Sequence, residues 1–322
     1  MSSHPVWWKQ EASKFLADVL AHVNQSRRRE EPVDRCEDLC KALNKTWNAH
    51  YAYRRRNGLL SDKDLEAGRS DSQSFAQLLL LGLDDELATQ FCGSESVGRL
   101  AEFSPHVMNH EVLLRRDYNP TDITEPLRKE ASDGHRQLDN AYKRYSDGPG
   151  ERDVREALLK KLKNLLYVIR CNIAHSEKTQ RGPDPSKNDR DTAVSSVTSA
   201  VIEELFDVLL ERPSQRLAVY GTLAPGRANA AMLSDLRGEW RQATVQGELA
   251  VKLNLPSYRW TAGGEEVTVM LLTSTALPDI YPVLDRFEGR SYARRLVPVM
   301  IGSELLVANI YEGVEGLAED LD

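Results

Sequence analysis

At 322 residues the chain is long enough for two domains that each bury a core, and 41% hydrophobic content with 28% charged residues excludes a disordered or low-complexity protein. Its net charge of −7 excludes binding to nucleic acid through a global basic field. No apolar run reaches the ~18–20 residues needed to span a bilayer, the start lacks a signal-peptide layout, and four cysteines without framework spacing fit a reducing, cytoplasmic setting.

Residues 1–212 read as helical, and 213–322 as a separate β-rich domain. The first part holds 32 basic and 35 acidic residues, the second 10 and 14, so any contact with nucleic acid must rest on a local patch such as arginines 27–29 or 54–56. Trp7 and Trp8 are expected to dock the N-terminus. Segment 9–24 has helical apolar spacing at Phe15, Leu16, Val19 and Leu20. Segment 33–56 repeats Leu39, Leu43, Trp47 and Tyr51 every four residues, and 72–91 carries a continuous leucine run that suggests burial. A fourth, less apolar helix is expected over 122–145, closed by Gly148-Pro149-Gly150.

Segment 153–174 sets Leu158, Leu162, Leu165 and Ile169 on one stripe. The polar, twice proline-broken stretch 176–190 reads as a loop, and 191–210 as a last helix with valines and Leu205 on one face. Two long helices joined by one loop suggest an antiparallel pair. Cys36 with Cys40 and His106 with His110 are i, i+4 pairs, but no second pair at zinc-site spacing accompanies either, so no metal and no cofactor is expected.

Beyond 212 the character changes. Short β-branched segments at 216–220, 244–251, 266–272, 296–301 and 305–311 alternate with Gly, Pro and Asn, and helices are expected near 228–236 and 278–287. The expected fold class is therefore multidomain, an all-α bundle followed by a compact α+β or barrel-like domain. Val219-Tyr220-Gly221-Thr222-Leu223 reads as a strand running into a glycine turn that offers backbone N–H groups to a small ligand. Asp285-Arg286-Phe287-Glu288-Gly289 places one carboxylate in an apolar setting, where burial would raise its pKa toward that of a general acid/base; the alternative is that Glu288 caps or orders the turn before Gly289.

These two motifs, with Pro225-Gly226, Asn229, Tyr292, Arg294 and Val307-Ala308-Asn309-Ile310-Tyr311, resemble the gamma-glutamylcyclotransferase-like family over about 216–313. The resemblance implies a small mixed β-barrel with one cavity. It also implies that Tyr220, Gly221, Thr222 and Leu223 hold the carboxylate and amine of a γ-glutamyl-like ligand through backbone groups. Glu288 would act as acid/base while the substrate amine attacks its own γ-carbonyl, leaving 5-oxoproline.

Tyr167-Val-Ile-Arg170-Cys171-Asn172-Ile-Ala-His175, at the end of an apolar helix, resembles the helical HEPN (higher eukaryotes and prokaryotes nucleotide-binding) superfamily over about 153–210. That resemblance implies a metal-independent ribonuclease. His175 would be general acid/base, Arg170 would stabilise phosphate charge and Asn172 would orient one of them. Residues five apart on a helix point about 140° from each other, so convergence on one phosphate calls for a distorted helix end or a symmetric partner. The alternative is a helix-end His175 and an Arg170 in an ion pair.

Together the resemblances imply an RNA-cleaving effector of toxin or phage-defence type. It would be a homodimer or higher oligomer with an antitoxin or defence-system partner protein, its C-terminal domain sensing or modifying a small ligand. Two alternatives stand beside it: a metabolic cyclotransferase whose helical domain serves oligomerisation, and a non-catalytic interaction protein.

Overall fold

The computed structural model describes residues 7–62, 64, 70–103, 125–174, 181–183, 185–252 and 255–314. The chain divides into two compact units, Met1–Leu209 and Leu210–Asp322.

The first unit is helical. Its described helices are α1 (Trp7–Gln10), α2 (Ala12–Ser26), α3 (Pro32–Arg56), α4 (Asp71–Leu81), α5 (Asp85–Cys92), α6 (Glu95–Glu102), α7 (Glu125–Asp147), α8 (Arg152–Ala174) and α9 (Pro185–Leu209). Helix α3 is the central element and packs against α2, α4, α8 and α9. It begins with Pro32, whose fixed φ suits a first helical turn. It buries Val33, Cys36, Leu39, Cys40, Leu43, Trp47 and His50 along one stripe.

The single helix expected over 72–91 is two. Leu81 ends α4, Gly82 follows, and the Asp84 carboxylate accepts the Leu87 N–H at 2.8 Å to start α5. A side-chain N-cap inside an apolar run is hard to see when the run is read only for periodicity. Helix α6, which the sequence reading passed over, starts in the same way at Ser94. Helix α9 starts at Pro185, six residues before the expected start, because a proline read as a loop residue serves as a helix start. Among the described residues α9 packs chiefly on α3, and α8 on α7 and α4, so the expected tight α8–α9 pair does not form.

The second unit is a six-stranded sheet in the order β3-β2-β4-β1-β6-β5. Its strands are β1 (Arg216–Val219), β2 (Glu239–Lys252), β3 (Leu255–Trp260), β4 (Glu265–Thr273), β5 (Tyr292–Ile301) and β6 (Glu304–Gly313). Strands β1 and β6 run parallel and the other pairs antiparallel. A further pairing, Thr244 with Met300, joins β2 to β5 and closes the sheet into a small barrel. Helix α10 (Ala231–Ser234) is shorter than expected, whereas α11 (Leu277–Glu288) spans one residue more than expected at either end. Strand β3 was not expected as a strand, since Pro256 breaks its β pattern; it is an edge strand, where a proline is tolerated.

Strand alternation divides β1 between two cores. Ala218 joins the barrel interior with Val245, Tyr258, Leu271, Val299 and Ile310. Leu217 and Val219 face the other way and meet Leu272, Leu277, Tyr281 and Leu284, which bury α11 against the sheet. At ~25 cal/mol per Å² of apolar area, each of these leucines contributes about 1.5–3 kcal/mol. The same packing aims the end of α11 at the loop that follows β1.

Candidate functional site

A cavity of about 250 Å³ opens where β1 ends and α11 ends. From the first side it is lined by Tyr220, Gly221, Thr222 and Leu223, and from the second by Phe287 and Glu288. Pro256 of β3, Tyr292 of β5 and Tyr311 of β6 complete the walls. The two motifs that the sequence singled out, 65 residues apart, thus share one space.

The loop is shaped by its own hydrogen bonds. Ala224 N–H donates to Gly221 O at 3.2 Å, closing a tight turn. Asn229 clamps Thr222 twice at 2.9 Å, its N–H to Thr222 O and its Nδ2 to Thr222 Oγ1. Among the described residues, the backbone N–H groups of Gly221, Thr222 and Leu223 donate to no protein group, so they are available to an anion or carbonyl. Gly221 lets the loop approach β3 closely: a Cβ there would lie 3.0 Å from Pro256 Cγ, so a larger residue needs that ring to give by a few tenths of an ångström.

Tyr220 turns into the barrel, its ring centroid 5.5 Å from that of Tyr258 and its hydroxyl donating to Tyr311 O at 2.7 Å. Burial pushes the Tyr220 phenol well above its ordinary range, so it stays protonated. Tyr292 donates to Pro256 O at 3.0 Å and pins β3 across the cavity. Glu312, buried, accepts the Trp260 N–H at 2.9 Å and secures the other end of β3.

Glu288 is the last residue of α11. Gly289 follows at φ +61°, a conformation that glycine adopts without strain, and its N–H bonds to Asp285 O. The turn sends the chain into β5 and leaves the Glu288 carboxylate facing the cavity. Among the described residues no hydrogen bond or ion pair reaches that carboxylate, and burial pushes its pKa up to about 7. The negative end of the helix dipole acts in the same direction. Burial raises the neighbouring Tyr292 phenol too, with a smaller contribution from the Glu288 charge. The sequence reading placed Leu284 and Phe287 around this carboxylate. Leu284 is fully buried, but Phe287 is 45% exposed at the cavity mouth.

The family model described as gamma-glutamyl cyclotransferase, AIG2-like, matches residues 217–319. Those residues form a cyclotransferase-like domain. It is similar to solved structures of an AIG2-like protein from Mus musculus (20% identity, 32% of this chain and 78% of that one, TM-score 0.28) and of an uncharacterized protein from Pyrococcus horikoshii (22%, 30% and 76%, 0.25). YkqA from Bacillus subtilis is 24% identical over 31% of this chain and 35% of its own length, with a TM-score of 0.27. No curated protein matches the chain.

The second set of expected site residues lies in the helical unit. Arg170 is held by the protein itself: Nε donates to Asn44 Oδ1 at 3.0 Å, Nη2 lies 3.8 Å from Asp71, and the guanidinium sits 5.7 Å above the Trp47 ring. Asn172 is buried. His175, like His106 and His110, lies outside the described residues. Among the described residues no group of three or more His, Cys, Asp or Glu is arranged to hold a metal, and no helix is long and apolar enough to cross a membrane.

The sequence reading left Pro256, Ser291, Tyr292 and Tyr311 out of the site. Tyr292 and Tyr311 were already in view as motif residues. Their placement on the cavity wall follows only from the pairing of β5 with β6, which sets Tyr292 opposite Gly313 and Arg294 opposite Tyr311.

Proposed function

We propose that the C-terminal unit is a cyclotransferase that acts on γ-glutamyl amines and releases 5-oxoproline. The observation that carries this reading is a cavity-facing carboxylate with a pKa near 7, set opposite a loop of unused backbone N–H groups. The loop of Gly221, Thr222 and Leu223 would receive the α-carboxylate of the glutamyl group. The γ-carbonyl would then lie toward Glu288.

In the reaction the uncharged α-amine attacks the γ-carbonyl carbon. An N–C bond forms, the attacking nitrogen gives a proton to Glu288, and Glu288 passes it to the leaving nitrogen as the old C–N bond breaks. The step is redox-neutral and needs no cofactor. A group with a pKa near 7 is well matched to both halves of that transfer at neutral pH, whereas an ordinary carboxyl near 4.3 is a poor acid there. Purified protein is expected to release 5-oxoproline from γ-glutamyl amines, and Glu288→Gln to abolish release. Unchanged turnover in that variant would refute the assignment.

For the helical unit, the described geometry lends no support to ribonuclease chemistry, since Arg170 is already engaged by Asn44, Asp71 and Trp47. RNA, an oligomeric partner copy and a defence-system partner therefore stay expectations of sequence resemblance.

A further inference from the structure

Among its described lining residues, the cavity is charged at one point. Among the described residues that line it, Glu288 is the sole side chain ionised near neutral pH; there is no Lys, Arg, His or Asp. The glutamyl group brings its own carboxylate and amine, and the loop N–H groups serve the former. A second carboxylate on the leaving amine, as in a γ-glutamyl peptide, would find no cation among the described lining residues. A second ammonium would find no carboxylate except the one that carries the proton.

The space and its rim favour a different leaving group. At about 250 Å³ the cavity is smaller than the roughly 300–1,000 Å³ of sites for drug-sized ligands. It therefore encloses a glutamyl unit and little more, and the substituent of the leaving amine must lie at the mouth. There the ring of Phe287, part of the cavity lining, stands 45% exposed. Pro256 lines the same cavity as a further apolar wall. An exposed ring on the lining of a ligand-sized cavity offers apolar surface to whatever substituent extends past the glutamyl unit.

Resting on the cyclotransferase reading, we infer that the leaving group is a small uncharged amine with an apolar substituent, which packs on Phe287, rather than an amino acid, peptide or diamine. A few methylene groups against such a surface are worth about tenfold or more in kcat/KM.

Three compounds test this: γ-glutamyl isobutylamide, γ-glutamylglycine and Nε-(γ-glutamyl)lysine, with 5-oxoproline as the readout. The isobutylamide is expected to give a kcat/KM at least tenfold above either charged conjugate. Phe287→Ala is expected to erase that margin, and Phe287→Lys to raise turnover of the glycine conjugate. Because Phe287 is exposed, both variants are expected to melt close to the wild type. Equal or faster turnover of a charged conjugate by the wild type, or a margin that survives Phe287→Ala, overturns the inference and leaves the cyclotransferase reading standing. Release from none of the three overturns both.

Discussion

Asp285 accepts both Nε and Nη2 of Arg294, at 2.9 and 3.1 Å, and this bidentate pair fixes the helical turn from which Glu288 projects. Asp285 also accepts the Tyr311 hydroxyl at 2.7 Å. The Arg294 guanidinium lies 4.2 Å from the centroid of the Tyr281 ring, and the Tyr281 hydroxyl donates to Arg216 O at 3.0 Å. Asn309, fully buried, donates to Pro213 O at 2.8 Å and to the Tyr281 hydroxyl at 3.0 Å. The end of α11 is thus bound to β1, β5 and β6 by one polar network. Two carboxylates one turn apart take opposite roles. Asp285 is paired with Arg294, while Glu288 has no partner among the described residues and burial pushes its pKa up to about 7.

Replacing Asp285 by Asn separates these roles. The variant keeps its volume but leaves the mostly buried Arg294 cation without its counter-charge. Stability is expected to fall by about 1–3 kcal/mol, less than for a fully buried pair because Asp285 is partly exposed. The same loss of anchoring is expected to lower kcat for 5-oxoproline release about tenfold or more while KM changes little, since the loop N–H groups are untouched. Urea unfolding and steady-state kinetics on one preparation check both effects. A stability loss with kcat unchanged would show that the network serves the fold alone.

Glu288 imposes two opposite pH dependences. As the base it must be ionised, so kcat/KM is expected to rise through pH 7 and to level off above it. For stability the sign is reversed. The folded pKa, near 7, lies above the ordinary value of 4.5, so between these the folded state holds more protons, and stability falls as pH rises across that window. The full shift would amount to a few kcal/mol; with the group partly open to solvent, about 1 kcal/mol is the expected loss. Glu288→Gln, which cannot ionise, is expected to match the wild type at pH 4 and to melt higher at pH 8. Thermal melts of both proteins at the two pH values read this directly.

The barrel and its catalytic candidate were legible in the sequence because their signals are local. A strand ending in Tyr-Gly-Thr-Leu, and a short apolar helix ending in Glu-Gly, each carry their structure in a few adjacent residues. What could not be read was set by pairing at a distance. Pro256 enters the site only because β3 adds to the barrel edge, and Tyr311 only because β6 lies between β1 and β5. The helical unit fails differently. Its periodic stripes were visible, but the break at Gly82 and the start at Pro185 depend on caps, which periodicity does not report.

His50 provides an acid-sensitive point in that unit. It is buried in α3 with its ring 5.0 Å from Trp7, and burial, aided by the Arg54 charge, lowers its pKa from 6.5 to about 3. The unfolded chain therefore takes up a proton between these values and the folded chain does not. Stability is expected to fall as pH drops below 6.5, by up to about 1.4 kcal/mol per unit. His50→Gln removes the titration, so its urea midpoint is expected to change less between pH 7 and pH 4 than that of the wild type.

Arg170 distinguishes a structural from a catalytic reading of the helical unit. Its side chain is 17% exposed, and it joins α8 to Asn44 and Trp47 of α3 and to Asp71 at the start of α4. Arg170→Ala removes one charged hydrogen bond, one long ion pair and one cation–π contact, and leaves Asn44 and Asp71 to water or to each other. A loss of about 1–3 kcal/mol is expected. Arg170→Lys keeps the charge but not the planar fork, so it is expected to recover only part of that loss. Neither variant should alter 5-oxoproline release, because Arg170 lies outside the cyclotransferase-like domain. The ribonuclease expectation makes a separate demand. Wild-type protein must cleave RNA without added metal, and Arg170→Lys must lose more cleavage than its melting temperature explains. RNA left intact by a folded wild-type preparation would assign Arg170 to the joining of α3, α4 and α8.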